Sequence, residues 1–268
     1  MKSYQKIIIT ATLANSWIYP EVKNWPQTTD QLVDDVVSCY EAGATIVHVH
    51  LPRGEEVETV RRIRENCDVI IQAGMSSESI PQRKGDFEAQ PEMISVMLTH
   101  HAEHFTQTTV DVLHPLNELE EYCKKCKSYN IKPEWEVWHQ GSYWNLNFLI
   151  KKGLLDWSKP HFLTLFFNWP GGTWSASTYD EYIHRKKYIP SNSVHSVSVM
   201  GEEQMKLLVF VLTHGGNIRV GTEDYPFLKK GVPAKNNAEI VRNYVSLCDH
   251  VGREIADSSE ARKILGLK

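Results

Sequence analysis

Residues 28–51, TTDQLVDDVVSCYEAGATIVHVHL, change their hydrophobic period at a glycine. Before Gly43, Leu32, Val36, Cys39 and Tyr40 recur at helical spacing, and Thr28-Thr29-Asp30-Gln31 resembles a capping box. Gly43 suits the end of such a helix, and beyond it Thr45-Ile46-Val47-His48-Val49-His50 has the β-branched alternation of a buried strand. A helix that hands over to a strand across a short turn is the return half of a parallel crossover.

The same grammar extends in both directions. Strands are predicted at 6–13, 45–51, 69–74, 94–99, 134–139, 161–168, 194–201 and 217–223. Helices are predicted at 57–66, 116–129, 143–152, 179–188, 202–213 and 237–251, with a short segment at 258–265 capped by Ser258 or Ser259 and a weakly marked helix after the third strand. Eight strands alternating with helices in 268 residues match an α/β (β/α)8 TIM barrel. No Ser-, Gly- or Pro-rich linker divides the chain, so one catalytic domain over residues 1–268 is expected. A doubly wound open sheet is the competitor. Its dinucleotide-binding version is disfavoured, because Thr10-Ala11-Thr12-Leu13-Ala14-Asn15 stands where GxGxxG would follow the first strand. In a barrel, chemistry is expected at the C-terminal ends of the strands.

Composition narrows the function. Lys and Arg number 29 against 33 Asp and Glu, a net charge of -4 with both signs interspersed, which argues against a nucleic-acid partner. Mean hydropathy is -0.38 and no apolar run approaches the roughly 20 residues of a membrane span. The N-terminal segment lacks a signal-peptide pattern, and the five cysteines form no disulfide framework, so a cytoplasmic protein with free thiols is expected. Cys123-Lys-Lys-Cys126 is a CxxC in form, but it sits in a helical segment without a second pair and reads as structural.

His48 and His50 lie two apart on a strand, so both imidazoles face one side and can meet one metal ion. Zinc is the default for such a pair, completed by a carboxylate. That carboxylate is sought in Asn217-Ile218-Arg219-Val220-Gly221-Thr222-Glu223-Asp224, where Arg219, Gly221 and Glu223 share a face and Glu223 stands at the strand end. Asp224, one step on, is a candidate acid or base kept ionised and oriented by Arg219; the alternative is an ion pair that closes the barrel. In 134–139, Glu134 and Glu136 point inward, and Glu136 is nearer the active end. His100, His101 and His104 read as solvated loop residues, Asn168-Trp169-Pro170-Gly171-Gly172-Thr173 as a turn able to approach a ligand, and Lys229-Lys230 as a solvated loop.

Glu41-Ala42-Gly43-Ala44 running into His48-Val49-His50, Pro133-Glu134-Trp135-Glu136, Pro170-Gly171-Gly172, the Gly-Gly-x-Ile-Arg-x-Gly-x-Glu-Asp segment at 215–224 and the closing Glu260-Ala261-Arg262-Lys263-Ile264-Leu265-Gly266 together resemble the β-keto acid cleavage enzyme family. The resemblance implies a zinc-dependent (β/α)8 acyltransferase, usually a homotetramer, that converts a 3-keto acid and acetyl-CoA into acetoacetate and a new CoA thioester. It implies His48, His50 and Glu223 as metal ligands, Asp224 as base oriented by Arg219, and Glu136 as a further active-site acid.

The chain departs from the family pattern around the substrate. Trp17 stands at the position of an acid in the aminohexanoate-cleaving members, so a neutral or aromatic-tolerant keto acid is expected over an amino-bearing one. Gly74-Met75-Ser76-Ser77 replaces a Thr-Gly-Gly stretch, Met97 aligns with an Asn and His139 with an acid. Two other readings are a metal-dependent barrel hydrolase and a non-catalytic relative that binds zinc and a small acid.

Overall fold

The computed structural model describes residues 5–103, 110–156 and 158–267. The chain begins β1 (Ile9–Thr12), α1 (Thr29–Glu41), β2 (Ile46–Val49), α2 (Glu56–Asn66), β3 (Ile70–Ala73), α3 (Lys84–Ala89) and β4 (Met93–Met97). A hairpin of β5 (His100–Glu103) and β6 (Val110–Leu113) interrupts the alternation. It resumes with α4 (Leu116–Tyr129), β7 (Lys132–Val137), α5 (Gln140–Lys151), β8 (His161–Phe167), α6 (Tyr179–Lys186), β9 (Ser193–Val199), α7 (Gln204–Thr213) and β10 (Asn217–Gly221). A second hairpin, β11 (Phe227–Lys229) and β12 (Val232–Pro233), precedes α8 (Asn237–His250) and α9 (Ser258–Leu265).

Eight parallel strands close in the order β1-β10-β9-β8-β7-β4-β3-β2. Closure is made where β1 pairs with β10 through Ile9 and Ile218 and with β2 through Thr10 and Ile46. The expected (β/α)8 barrel is therefore present, with the two hairpins inserted at its C-terminal side.

Period-2 alternation sorts the strand residues into two environments. Ile9, Ala11, Val47, Val49, Ile71, Ile94, Trp135, Leu163, Val197 and Val220 face outward into the helices. The inward positions are apolar at the base, where Ile8, Ile46, Ile70, Met93 and Phe162 pack on Ala256, Ala261 and Leu265, and again at the mouth, where Met97 and Phe166 join Trp138 and Trp169. α9 plugs the base, and truncating the fully buried Leu265 to Ala would cost about 2–5 kcal/mol. Above the base layer the interior becomes polar, with Thr10, Gln72, Ser95, Glu134, Thr164, Ser196 and Arg219 all buried.

Buried arginines hold the strand ends that carry the upper layer. Arg83 donates to the carbonyls of Ala73, Gly74 and Ser95, and Arg185 to those of Val137 and Phe166. These carbonyls lie where the barrel opens, and a buried guanidinium supplies the donors they need.

Several boundaries differ from the sequence expectation. The first strand is confined to Ile9–Thr12, with Ile7 making only a bridge to Ile255, and the fourth runs Met93–Met97. α5 starts at Gln140, capped by His139, whose Nδ1 accepts from the Gly141 amide. Asp257 caps α9 in place of Ser258 or Ser259, in a reciprocal box with Glu260. At α1 the box is only half formed: Thr28 accepts from the Gln31 amide, while the Gln31 side chain accepts from Gln27 instead. His100 and His101 belong to β5 and not to a loop, and His104 lies outside the described residues.

Candidate active site at the C-terminal mouth of the barrel

His48 lies on β2, His50 just beyond its end, and Glu223 two residues past β10. His48 Nε2 is 3.5 Å from Glu223 Oε2 and His50 Nε2 is 3.5 Å from Glu223 Oε1. The three ligand atoms lie within 4.8 Å of one another, the one such His/Cys/Asp/Glu group among the described residues. The structure brings the two histidines and the strand-end carboxylate together as a candidate metal site.

Two glycines make this convergence possible. Gly221 has φ +148°, and a Cβ there would lie 2.3 Å from the Thr12 carbonyl oxygen. A Cβ on Gly74 would lie 2.4 Å from His50 Cδ2 and 2.7 Å from His48 Nε2. The missing side chain at Gly74 thus leaves a cradle for both imidazoles.

The donor set suits a divalent metal. Gln72 Oε1 is 2.7 Å from His48 Nδ1, so Nδ1 carries the proton and Nε2 offers its lone pair toward His50 and Glu223. Burial, reinforced by Arg219, lowers the His48 pKa to about 3, which keeps the imidazole neutral. Burial pushes Glu223 upward, but Arg219, His48 and His50 outweigh it and hold the carboxyl well below its ordinary range. Two imidazole nitrogens and one carboxylate are a fitting zinc set with coordination positions left over for substrate.

Arg219 organises both acids of the strand end. Its Nη2 donates to Glu223 Oε2 at 2.8 Å and to Asp224 Oδ1 at 3.1 Å, and its Nε lies 3.3 Å from each Asp224 oxygen. Its guanidinium lies 5.1 Å over the Phe166 ring. Asp224 is fully buried and also accepts from Ser198 Oγ at 2.9 Å. Burial raises its pKa to about 6, with Glu223 adding to the rise and Arg219 and Ser198 opposing it, so Arg219 both orients this acid and favours its ionised form.

Glu136 accepts at Oε2 from Ser76 Oγ at 2.7 Å and from Trp138 Nε1 at 2.9 Å. Glu134, one layer down, accepts from Thr164 Oγ1, and burial together with Glu136 pushes it up to about 8. A cavity of about 60 Å³ opens above these groups, with His48, His50, Glu223, Arg219, Glu136 and Ser76 on its polar side. Trp17, Met75, Trp138, Phe166 and Trp169 form its apolar wall. Asp224 does not line the cavity; it stands behind Arg219.

Other sequence candidates are placed elsewhere. His100 is half-buried and lies 3.7 Å from Asp111, apart from the ligand group. His139 is a helix cap and Met97 packs with Trp138, Phe166 and Trp169. Gly172 gives room to Ala102 of β5, whose Cβ would be 3.1 Å from an added methyl. Cys123 and Cys126 are buried free thiols on α4, and Lys230 pairs with Glu202 at 2.8 Å. Sequence reasoning missed Gln72, Ser76 and Ser198. Gln72 carried a signal, being the one polar side chain in the run Val69-Ile70-Ile71-Gln72-Ala73, on the inward parity shared by Ile70.

Residues 6–267 match the profile of a family described as beta-keto acid cleavage enzyme. A 3-keto-5-aminohexanoate cleavage enzyme from Acetoanaerobium sticklandii is 32% identical over 98% of this chain and 99% of its own. A 3-oxoadipate:acetyl-CoA acetyltransferase from Cupriavidus necator is 25% identical over 97% of this chain and 93% of its own. Among solved structures, apo ObcA superposes with a TM-score of 0.74 at 16% identity, covering 91% of this chain and 66% of that longer one, a likeness of fold.

Proposed function

Because the chain belongs to the beta-keto acid cleavage enzyme family, we propose that it is a zinc-dependent acyltransferase that turns a 3-keto acid and acetyl-CoA into acetoacetate and a new CoA thioester. The observation that carries this reading is the convergence of His48, His50 and Glu223 beside an Arg219–Asp224 pair at the mouth of the barrel. Acetyl-CoA as co-substrate is supported by relatives named as acetyl-CoA transferases acting on keto acids.

His48, His50 and Glu223 would hold the zinc, which when bound supplies Lewis-acid polarisation of the keto acid's carbonyl. Asp224 takes the proton from the carbon between carbonyl and carboxylate, and Arg219 holds it in place for that step. Since Asp224 stands behind Arg219, its carboxylate must turn past the guanidinium to reach the substrate; Glu136, which lines the cavity, is the alternative acceptor. The carbanion adds to the acetyl carbonyl carbon and displaces CoA, which passes to the original keto carbon; the bond between that carbon and the former carbanion carbon breaks, and the acetoacetate enolate so released takes back the proton. The wall of Trp17, Trp138, Phe166 and Trp169 excludes water that would quench the carbanion.

By the same resemblance the assembly is a homotetramer and the compartment the cytoplasm, the latter supported by five free cysteines. No helix among the described residues is long and apolar enough to cross a membrane. Incubation of the zinc-loaded protein with acetyl-CoA and a panel of 3-keto acids tests the reading: acetoacetate should appear, and chelation of the metal should abolish it.

A further inference from the structure

We infer that the keto acid taken by this site is short, with an uncharged, apolar substituent on its keto carbon, and that Trp17 sets this limit. The inference rests on the keto-acid reading above and names its substrate class.

Size comes first. The cavity measures about 60 Å³. That is well below the roughly 150 Å³ that holds a benzene-sized guest, so a keto acid enters only as lining side chains give way, and each further carbon on its keto side asks more of them.

The wall is braced against widening. Trp138 stacks on Phe166 with centroids 4.1 Å apart and 12° between planes, and Trp169 meets their edges at 5.2 and 5.6 Å. Phe166 also carries the Arg219 guanidinium at 5.1 Å. Trp17 and Ile18, from the segment after β1, pack against this cluster and complete the wall. Close-packed aromatic rings have no low-cost alternative arrangement, so a long substituent would have to displace Trp17.

Charge points the same way. A second carboxylate on the substrate would need a further cation: the guanidinium in the lining is tied to Glu223 and Asp224 through Nη2 and Nε, which leaves its Nη1 for the keto acid's own carboxylate. A substrate ammonium would need an acid beyond the metal set, and the one in the lining, Glu136, has its Oε2 held by Ser76 and Trp138. Against the indole of Trp17 an ammonium gains only a modest cation–π attraction, less than the hydration it gives up.

The test is kcat/KM for acetoacetate formation by the zinc-loaded full chain with 3-oxopentanoate, 3-oxohexanoate, 3-oxodecanoate, 3-oxoadipate and 5-amino-3-oxohexanoate. The five- and six-carbon neutral acids should exceed the charged acids by about a hundredfold and 3-oxodecanoate by about tenfold or more. Trp17→Ala should raise the decanoate rate relative to pentanoate by about tenfold, Trp17→Phe by less, and Trp17→Glu should move preference toward the amino acid. Preference of the wild type for 3-oxoadipate or the ammonium acid, or a chain-length profile unchanged in both Trp17→Ala and Trp17→Phe, overturns the inference while the keto-acid reading stands. Acetoacetate from none of the five overturns both.

Discussion

Gln72 and His48 are registered partners across the β2–β3 pair, and their side chains meet at 2.7 Å between Oε1 and Nδ1. The barrel register itself therefore selects the imidazole tautomer that presents Nε2 to Glu223 and His50. A ligand fixed this way loses little entropy when it binds a metal.

Gln72→Leu removes the acceptor that holds His48. Zinc affinity, measured by chelator competition with circular dichroism to confirm the fold, should drop about 10–100-fold, and Gln72→Glu should restore most of it. Wild-type affinity in Gln72→Leu would show that the tautomer is set by something else.

Gly74→Ala tests the cradle. The φ of Gly74 lies outside the left-handed region, so alanine is compatible with the backbone, and the three atoms nearest the added methyl all belong to the two imidazoles. Thermal stability should change little, while zinc affinity falls about tenfold or more as the rings are pushed apart. A zinc affinity equal to wild type would mean that the rings have room to move.

The barrel was legible because its signal is periodic: apolar outward positions such as Val47 and Val49 alternate with His48, and Gly43 marks the hand-over from helix to strand. The grouping of the candidate metal site was legible for the same reason, since parity puts His48 with His50 and Arg219 with Glu223. The β5–β6 and β11–β12 hairpins were not, because strands of two to four residues carry too little pattern to stand out from loops. The position of Asp224 was hidden too. Parity places it off the inward face, but only the fold shows Arg219 standing between it and the cavity.

Glu223 and Asp224 should fail differently when neutralised. Glu223→Gln should lose zinc, because an amide is a poorer ligand than a carboxylate. Asp224→Asn should keep zinc while turnover falls by about two to four orders of magnitude. Full turnover in Asp224→Asn, with loss in Glu136→Gln, would move the proton acceptor to Glu136.

Glu134 makes the protein's stability fall as pH rises. Its folded-state pKa is raised from 4.5 to about 8 by burial and by Glu136, so between those values the unfolded chain releases a proton that the folded chain retains. Stability is therefore lost as pH climbs from about 4.5 to about 8. Glu134→Gln, which keeps the shape and an acceptor for Thr164, should flatten that slope in denaturant titrations run at pH 5, 6, 7 and 8. A wild-type slope in the variant would assign the pH dependence to other groups.

Carbon tracing tests the reaction most directly. With acetyl-CoA labelled with carbon-13 in its acetyl group and unlabelled 3-oxopentanoate, the zinc-loaded protein should give acetoacetate labelled only at its methyl and keto carbons, together with unlabelled propionyl-CoA. Free propionate and acetate without labelled acetoacetate, or products that form equally well after zinc is removed, would contradict a zinc-dependent keto-acid cleavage at His48, His50 and Glu223.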